Sequence, residues 1–177
     1  GLGNVTFFDP KRVVAFPHLS LASGAIKGWD KRNQFYFQML SSLSQHYNFD
    51  LEAPFESLPE PIQQILLFGS GKEQITFKYL NERGTFFGKT HTFEGIINNL
   101  QRRYRESDSS AVRDELAKYI NATTCPDCLG TRLRKEARHV KVGEKNIHQI
   151  CEVPLKVEMH FFESLDLRGQ KLAIGDK

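Results

Sequence analysis

Two cysteines separated by two residues are the strongest candidates for chemistry in this sequence. Cys125 and Cys128 lie in the run CPDCLG at residues 125–130. A C-x-x-C turn places two thiolates at a spacing that suits a shared tetrahedral Zn²⁺, and its Pro and Gly favour a tight turn around the metal. A structural zinc site needs four ligands, but the sequence has no second C-x-x-C. We therefore predict half of a zinc site, with the other ligands elsewhere in a longer protein.

The other potential ligands do not complete this site at any common spacing. Cys151 stands alone between Ile150 and Glu152, and we predict that it is a small core residue. His139 and His148 are possible ligands, but their positions match no usual zinc pattern. An odd number of cysteines, three, favours a reducing compartment and a thiol or metal role over a disulfide framework.

A thiol oxidoreductase is the rival interpretation of the cysteine pair. A redox C-x-x-C follows a strand and precedes a helix in a βαβ unit. The pattern here predicts a helix before Cys125 and a basic, strand-like run after Cys128. The split zinc site is therefore favoured, and the redox pair stays open as an alternative.

Basic residues follow the second cysteine. From Arg132 to Lys145 there are six lysines and arginines against two glutamates, a local net charge of +4. Such clusters contact nucleic-acid phosphates, and Arg132, Arg134 and Lys135 are the candidate contacts. A solvated strand face explains these residues equally well. The overall charge of +3 is too small to imply nucleic acid by itself.

The run FGSGKE, residues 68–73, matches half of a nucleotide-binding loop. The full pattern, G-x-x-x-x-G-K-[ST], needs a hydroxyl after the lysine to meet Mg²⁺. Here Glu73 takes the hydroxyl position and Leu66 takes the position of the first glycine. We predict instead a helix that ends at Gly69 and turns into a strand. The patterns H-E-x-x-H and G-x-S-x-G and the spacing of a catalytic triad are also missing.

The composition and periodicity predict a globular α+β chain. Its 177 residues are 40% hydrophobic and 25% charged, which is enough to bury a core. We distinguish an irregular first segment at 1–28, helices plus a β-hairpin at 29–120, and the zinc half, a small hairpin and a helix at 121–177. The expected fold is mostly α-helical with two small antiparallel β-hairpins.

Apolar periodicity, caps and breakers place the individual elements. We predict helices at 30–47, 62–68, 93–105 and 110–120, a hairpin of strands 74–80 and 85–92 with its turn at 81–84, a second hairpin within 132–150, and a last helix after Pro154. Asp30 is the predicted cap of the first helix. Trp29 is predicted to pack where that helix begins, and Phe35 to widen its apolar face.

The sequence shows no membrane or export signal. No apolar run approaches the roughly 20 residues that span a bilayer, and there is no signal-peptide pattern. We therefore expect no membrane contact and a cytoplasmic location. The chain begins at Gly1 without a methionine and ends at Lys177 without a capping signal, and we expect it to be a piece of a longer protein.

Several stretches together resemble one known family. They are FDP at 8–10, LASGAIKGW at 21–29, FGSGKE at 68–73, the run 93–104, the serines at 109–110 and CPDCLGTRL at 125–133. In order and spacing they resemble the bacterial UvrA family, the damage-recognising ATPase of the excinuclease ABC system of nucleotide excision repair. The resemblance covers essentially the whole chain.

The resemblance implies a place inside a split ABC-type ATPase. UvrA has two ATPase modules interrupted by insertions, and this chain resembles an insertion-type fragment of the first signature domain. The Walker motifs and the L-S-G-G signature are missing from the sequence. ATP and Mg²⁺ are therefore expected only in the parent protein, and the fragment is expected to be a non-enzymatic structural and coupling region that can also face DNA.

The family also implies a metal and partners. Residues 1–3 resemble the tail of another cysteine knuckle, and Cys125 and Cys128 would complete a zinc module with an upstream pair. The implied partners are the remainder of UvrA, a second UvrA, UvrB and damaged double-stranded DNA. The family's DNA surface draws largely on the second signature domain, so the three basic candidates rest on local charge alone. A protein-interaction module that docks through residues 50–95 is a further alternative.

Overall fold

The computed structural model describes residues 1–80 and 86–166 of the chain, and the chain divides into two compact units. The larger unit is Thr6–Asn121, and the smaller unit combines residues 1–5 with those from 122 onward. Over these described ranges, no helix is long and apolar enough to cross a membrane.

The described residues form eight α-helices and three two-stranded sheets, which confirms the predicted α+β class. The helices are α1 (Pro10–Val13), α2 (Gln34–Tyr47), α3 (Glu60–Phe68), α4 (Ile96–Glu106), α5 (Ser110–Ala117), α6 (Lys135–Arg138), α7 (Ile147–Cys151) and α8 (Leu155–Glu163). The strands are β1 (Asn4–Phe8), β2 (Gln74–Leu80), β3 (Phe86–Thr92), β4 (Ile120–Thr124), β5 (Lys141–Val142) and β6 (Lys145–Asn146). Strand β1 pairs with β4, β2 with β3, and β5 with β6.

The core of the larger unit gathers apolar side chains from α2, α3, α4 and β2. Fully buried members include Leu40, Leu66, Phe77 and Ile96. Trp29 is buried as predicted, and its ring stacks on Tyr36 with the centroids 4.1 Å apart. Burying one apolar side chain of this kind contributes about 1.5–3 kcal/mol to the stability of the fold. Burial of this cluster is therefore a major source of the unit's stability.

The prediction that Asp30 caps α2 is wrong, because Asn33 is the cap. The Asn33 side chain accepts a hydrogen bond from the Tyr36 N–H at 3.3 Å. Asp30 is buried and accepts three hydrogen bonds from Arg32, one from the backbone N–H at 2.9 Å and two from the guanidinium at 2.9 and 2.6 Å. Both residue types cap helices well, and the guanidinium two residues away holds Asp30 in a different role.

Strands β2 and β3 form the predicted antiparallel hairpin, with Phe77 opposite Lys89 and Tyr79 opposite Phe87. The outer edge of β2 is covered by α2. The Ser42 hydroxyl accepts from the Lys78 N–H at 3.0 Å, and the Gln38 side chain accepts from the Leu80 N–H at 3.1 Å. The predicted turn at 81–84 and residue 85 lie outside the described residues.

In the segment that resembles a nucleotide-binding loop, the backbone at the end of α3 packs closely against the backbone at the start of α4. Helix α3 ends at Gly69 as predicted, with φ at +101°. A Cβ on Gly95 would lie 2.4 Å from the Phe68 carbonyl carbon, so only glycine fits there. Ser70 closes this contact, since its N–H donates to the Phe93 carbonyl at 3.0 Å and its hydroxyl accepts from the Phe93 N–H at 2.9 Å.

The smaller unit departs from prediction in three places. The stretch expected to be a strand from residue 132 begins instead with α6, whose sequence KEAR consists of good helix formers. The expected hairpin is present only as the two-residue strands β5 and β6 around Gly143. Cys151 is exposed rather than buried, because Ile150 takes the inward position of α7.

Two predicted helix ends also shift. Helix α5 is capped by Ser109 as expected, but it ends at Ala117. Ile120 therefore lies in β4 instead of in the helix. A strand, and not a helix, thus precedes Cys125.

Candidate metal-binding and nucleic-acid-binding residues

The turn at Cys125 and Cys128 has the backbone of a metal-binding knuckle. The Leu129 N–H donates to the Cys125 carbonyl at 2.8 Å, and the Thr131 N–H donates to the Cys128 carbonyl at 3.0 Å. Leu129 and Gly130 both have left-handed backbones, with φ of +53° and +83°. The backbone therefore turns sharply directly after Cys128.

The surroundings of Cys128 favour its thiolate. Hydrogen bonding from the backbone N–H of Arg132 lowers the pKa of the Cys128 thiol, and the Cys125 thiol and the Gly130 N–H act in the same direction. The thiolate is the form that binds Zn²⁺. The two sulfurs therefore suit two positions of a zinc site.

The remaining ligands are not found among the described residues. Residues 1–80 and 86–166 contain no group of three or more His, Cys, Asp or Glu side chains placed to hold a metal. The chain start does lie against the knuckle, since the Cys125 N–H donates to the Gly3 carbonyl at 2.9 Å. A Cβ on Gly3 would come within 2.9 Å of the Gly130 carbonyl oxygen.

The structure separates the three basic candidates. Lys135 lines a concave surface of about 570 Å³, together with Arg138 and Lys141. Arg132 and Arg134 do not line it: Arg132 has a left-handed backbone at φ +64°, and Arg134 is the residue before α6. Arg138 and Lys141 were not among the predicted contacts, although both lie in the same basic run. A helical interpretation of residues 135–138 would have indicated Arg138, because residues three apart, such as Lys135 and Arg138, lie on one face of a helix.

The concave surface, which we call the basic concavity, also includes two histidines. His139 and His148 line it beside the three cations. One carboxylate lies beside this surface: an oxygen of Glu152 is 3.1 Å from His148 Nε2. Arg138 Nη2 donates to the Asp127 carbonyl at 2.8 Å, which holds the guanidinium beside the knuckle turn.

Cations of the larger unit fall into two groups. Some are paired with carboxylates, as in Lys27 with Glu115 at 3.0 Å and Arg102 with Glu94 at 2.8 Å. Others form no ion pair with any residue that the structure describes; these include Lys11, Lys72, Lys89, Arg103, Arg105 and Arg113. The unpaired group is available to an anionic partner.

Comparison with known proteins identifies the family. Residues 9–118 match the model of the UvrA DNA-binding domain. Over all 177 residues the chain is 58% identical to UvrABC system protein A of Neisseria meningitidis serogroup B and 52% identical to that of Escherichia coli K12, and it spans 19% of the length of each. UvrA2 from Deinococcus radiodurans shares the fold, with a TM-score of 0.63 at 20% identity over 92% of this chain and 21% of that one.

These matches give no support to the thiol-oxidoreductase and interaction-module alternatives. The matched range ends at residue 118, so the knuckle and the basic concavity lie beyond it. The larger unit, Thr6–Asn121, contains the whole of the matched range. The chain belongs to the UvrA family and carries its DNA-binding domain.

Proposed function

We propose that this chain is a DNA-contacting and coupling part of a UvrA-type protein that recognises damaged double-stranded DNA in nucleotide excision repair. It lies in the first signature domain of a cytoplasmic parent. The parent's other regions bind and hydrolyse ATP with Mg²⁺, dimerise with a second UvrA and engage UvrB. The chain itself carries out no catalysis.

The observation that carries this proposal is the match of residues 9–118 to a DNA-binding domain. The unpaired cations described above lie in the same range, and cations without carboxylate partners are the groups that neutralise DNA phosphates. DNA contact by the larger unit follows from the two observations together.

The nucleotide-loop resemblance does not argue for ATP binding by this piece. The Gly69 N–H donates to the Ile65 carbonyl at 2.8 Å, and the Glu73 N–H donates to the Ser70 carbonyl at 3.1 Å. With the Ser70 N–H also used, the loop has few amides left for a phosphate, and a P-loop needs a row of them. This supports an ATP site elsewhere in the parent.

For the metal, we propose that Cys125 and Cys128 supply two of four zinc ligands. The knuckle backbone and the lowered pKa of the Cys128 thiol fit a thiolate pair. Because residues 1–3 lie against the knuckle, a ligand pair just before Gly1 would be well placed to complete the site. The zinc would act as a rigid joint that transmits movement of the ATPase modules to the DNA-facing side.

For the smaller unit, we propose that Lys135, with Arg138 and Lys141, contacts DNA phosphates through the basic concavity. Arg132 and Arg134 remain proposed contacts on the basis of their charge. Three cations that line one concave surface hold a phosphate better than cations spread along a strand, because their fields add at one point.

Binding of a labelled DNA duplex to this chain tests the proposal. We expect the logarithm of the association constant to fall linearly with the logarithm of salt between about 50 and about 200 mM. Lys135→Glu with Lys141→Glu should reduce that slope by about two, whereas Lys156→Glu, in α8 outside the concavity, should change it less. Absence of duplex binding would reject the proposed function, and an unchanged slope in the double variant would reject only the contact by the smaller unit.

A further inference from the structure

A groove in the larger unit combines exposed aromatic rings with a free cation. Its volume is about 640 Å³, and it lies between the β2–β3 hairpin and the residues of α2 and α4 that face it. Phe35 and Tyr36 line it from α2, and Tyr79 and Phe87 line it from the hairpin. We call these four rings and their surroundings the aromatic groove.

Two of the rings are about half exposed. Phe35 is 55% exposed and Phe87 is 50% exposed. Phe35 was predicted to widen the apolar face of α2; it lines the groove and is not part of the buried core cluster. Large exposed apolar side chains grouped in one concave place mark a binding site more than scattered ones do.

The rings are arranged in a continuous series. Phe35 stacks on Tyr79, with the centroids 5.5 Å apart and the planes 15° from parallel. Phe87 lies 5.6 Å from Tyr79 at 34°. On the core side, Tyr36 stacks on the buried Trp29. Phe35 and Phe87 therefore both contact Tyr79, and their exposed parts line the groove, where a further flat ring could contact them.

Hydrogen bonds fix the polar side of the groove. His91 Nδ1 donates to the Thr92 carbonyl at 2.7 Å, and its Nε2 lies 3.2 Å from the Tyr79 hydroxyl. A carbonyl can only accept, so Nδ1 carries a proton and is the donor in the bond to Thr92. The Tyr79 ring, the central member of the stack, is held in place by the contact of its hydroxyl with His91 Nε2.

Lys89 provides the charge of the groove. Arg102 also lines it, but its guanidinium is bonded to Glu94 at 2.8 Å and to Glu106 at 3.1 Å. Lys89 forms no ion pair with the residues that the structure describes. Its ammonium group is therefore available to an anion that lies beside the stacked rings.

We propose that the aromatic groove binds an unpaired nucleobase of distorted DNA, which stacks on Phe87 and Phe35 while Lys89 contacts an adjacent phosphate. This inference rests on the proposed DNA-binding function and names the DNA feature that is bound. Aromatic side chains with a nearby cation are the usual means of holding unstacked bases, and stacking tolerates any base because every base has a π-face. A base inside an intact duplex has both faces covered, so the groove selects distorted DNA.

A fluorescent base tests this directly. The complete 177-residue chain is titrated into a duplex with one unpaired 2-aminopurine and, separately, into the fully paired duplex of the same sequence. We expect quenching of the unpaired 2-aminopurine and tighter binding of that duplex. Phe35→Ala with Phe87→Ala should abolish the quenching and weaken binding of the distorted duplex about tenfold or more, with little change for the paired duplex.

Two further variants separate stacking from folding. Phe87→Trp keeps a flat ring and should keep the quenching, whereas Phe87→Leu keeps an apolar side chain and should lose it. Phe16→Ala is the matched control, because Phe16 is 49% exposed but does not line the groove. Circular dichroism melting of every variant reports whether the fold is retained.

The outcomes distinguish the inference from the function on which it rests. If the chain binds both duplexes equally without quenching, the groove proposal is overturned and DNA binding stands. If it binds neither duplex, both proposals are overturned. If sedimentation shows a dimer that Phe87→Ala dissociates, the groove is an interface between copies of the chain, which also overturns base binding.

Discussion

Gly95 allows two helix ends to pack closer than any residue with a Cβ would permit. The residue lies where the start of α4 touches the end of α3, with φ at +90°. A Cβ there would lie 2.4 Å from the Phe68 carbonyl carbon and 2.5 Å from the Gly69 nitrogen. Both atoms belong to the backbone, so neither can move aside without shifting a helix.

We therefore expect Gly95→Ala to destabilise the chain by about 2–4 kcal/mol, from left-handed strain and backbone overlap together. Gly71→Ala is the matched control: φ is +61° there, but no atom lies within 4 Å of the new Cβ. It should cost only about 1–2 kcal/mol. Urea unfolding of both variants measures the difference, and equal losses would show that the backbones can separate at little cost.

Asp30 is a buried carboxylate whose negative charge is stabilised by Arg32. Hydrogen bonds from the Arg32 guanidinium hold the pKa of Asp30 below its usual range, against the opposing effect of burial. A carboxylate with a lowered folded-state pKa contributes stability above its unfolded pKa of about 3.9, and this contribution is lost as the pH falls through the folded-state value.

For Asp30→Asn we expect a loss of about 1–3 kcal/mol at neutral pH, because the hydrogen bonds from Arg32 lose their charged acceptor. The difference from the unchanged chain should shrink as the pH falls below about 4. Chemical denaturation across this range measures it. A difference that stays constant with pH would mean that shape, and not charge, is what matters at this position.

At the scale of elements, the hairpin β2–β3 depends on a helix that is distant in sequence. The outer edge of β2 has N–H groups that no strand pairs with, and α2 supplies side chains in place of a strand. Ser42 has two roles, since its hydroxyl donates to the Gln38 carbonyl at 3.0 Å and accepts from the Lys78 N–H. An exposed strand edge invites pairing with another chain, so this cover keeps the edge closed.

We expect Ser42→Ala to cost about 1–3 kcal/mol, because it leaves the Lys78 N–H without an acceptor in a partly buried place. Amide hydrogen exchange at Lys78 should become faster. Ser41→Ala is the control, because the Ser41 hydroxyl bonds only to the Phe37 carbonyl of its own helix. The same exchange rate at Lys78 in both variants would contradict the role given to Ser42.

At the scale of the whole molecule, the zinc proposal concerns chain beyond Gly1. The 177-residue chain should bind less than one zinc per molecule, because two thiolates fill only half of a tetrahedral site. A longer UvrA that includes the proposed upstream ligand pair should bind a full equivalent through this site. Cys125→Ser with Cys128→Ser should remove it, whereas Cys151→Ser should not, since Cys151 is exposed and lies outside the knuckle.

Elemental analysis beside a thiol count makes this measurement. In the longer protein, damaged-DNA binding and the coupling of ATP hydrolysis should weaken in the double variant. A full equivalent of zinc in the 177-residue chain would mean that the other ligands are local or shared between two copies. Unchanged zinc and coupling in the double variant would reject the knuckle as a joint.

Local patterns in the sequence were enough to predict much of this chain. The apolar spacing of residues 60–68, the glycine that ends that helix and the alternation of residues 74–80 each depend on neighbours within a few positions, so α3 and β2 were predicted closely. The run CPDCLGTRL, with the other stretches, was enough to indicate the family. The two elements depend on backbone preference and hydrophobic period, which a sequence shows directly, whereas the family was indicated by resemblance alone.

Other features came from contacts between residues that are far apart in the chain. The Lys78 N–H bonds to the Ser42 hydroxyl, the start of α4 meets the end of α3, and Phe35 of α2 stacks on Tyr79 of the hairpin. Helix periodicity could place Phe35 on the apolar side of α2, but not show that the hairpin leaves that side open. Likewise Lys135 lines the basic concavity without Arg132, because the local backbone turns between them. Burial and convergence depend on packing between elements, and no local pattern in the sequence records it.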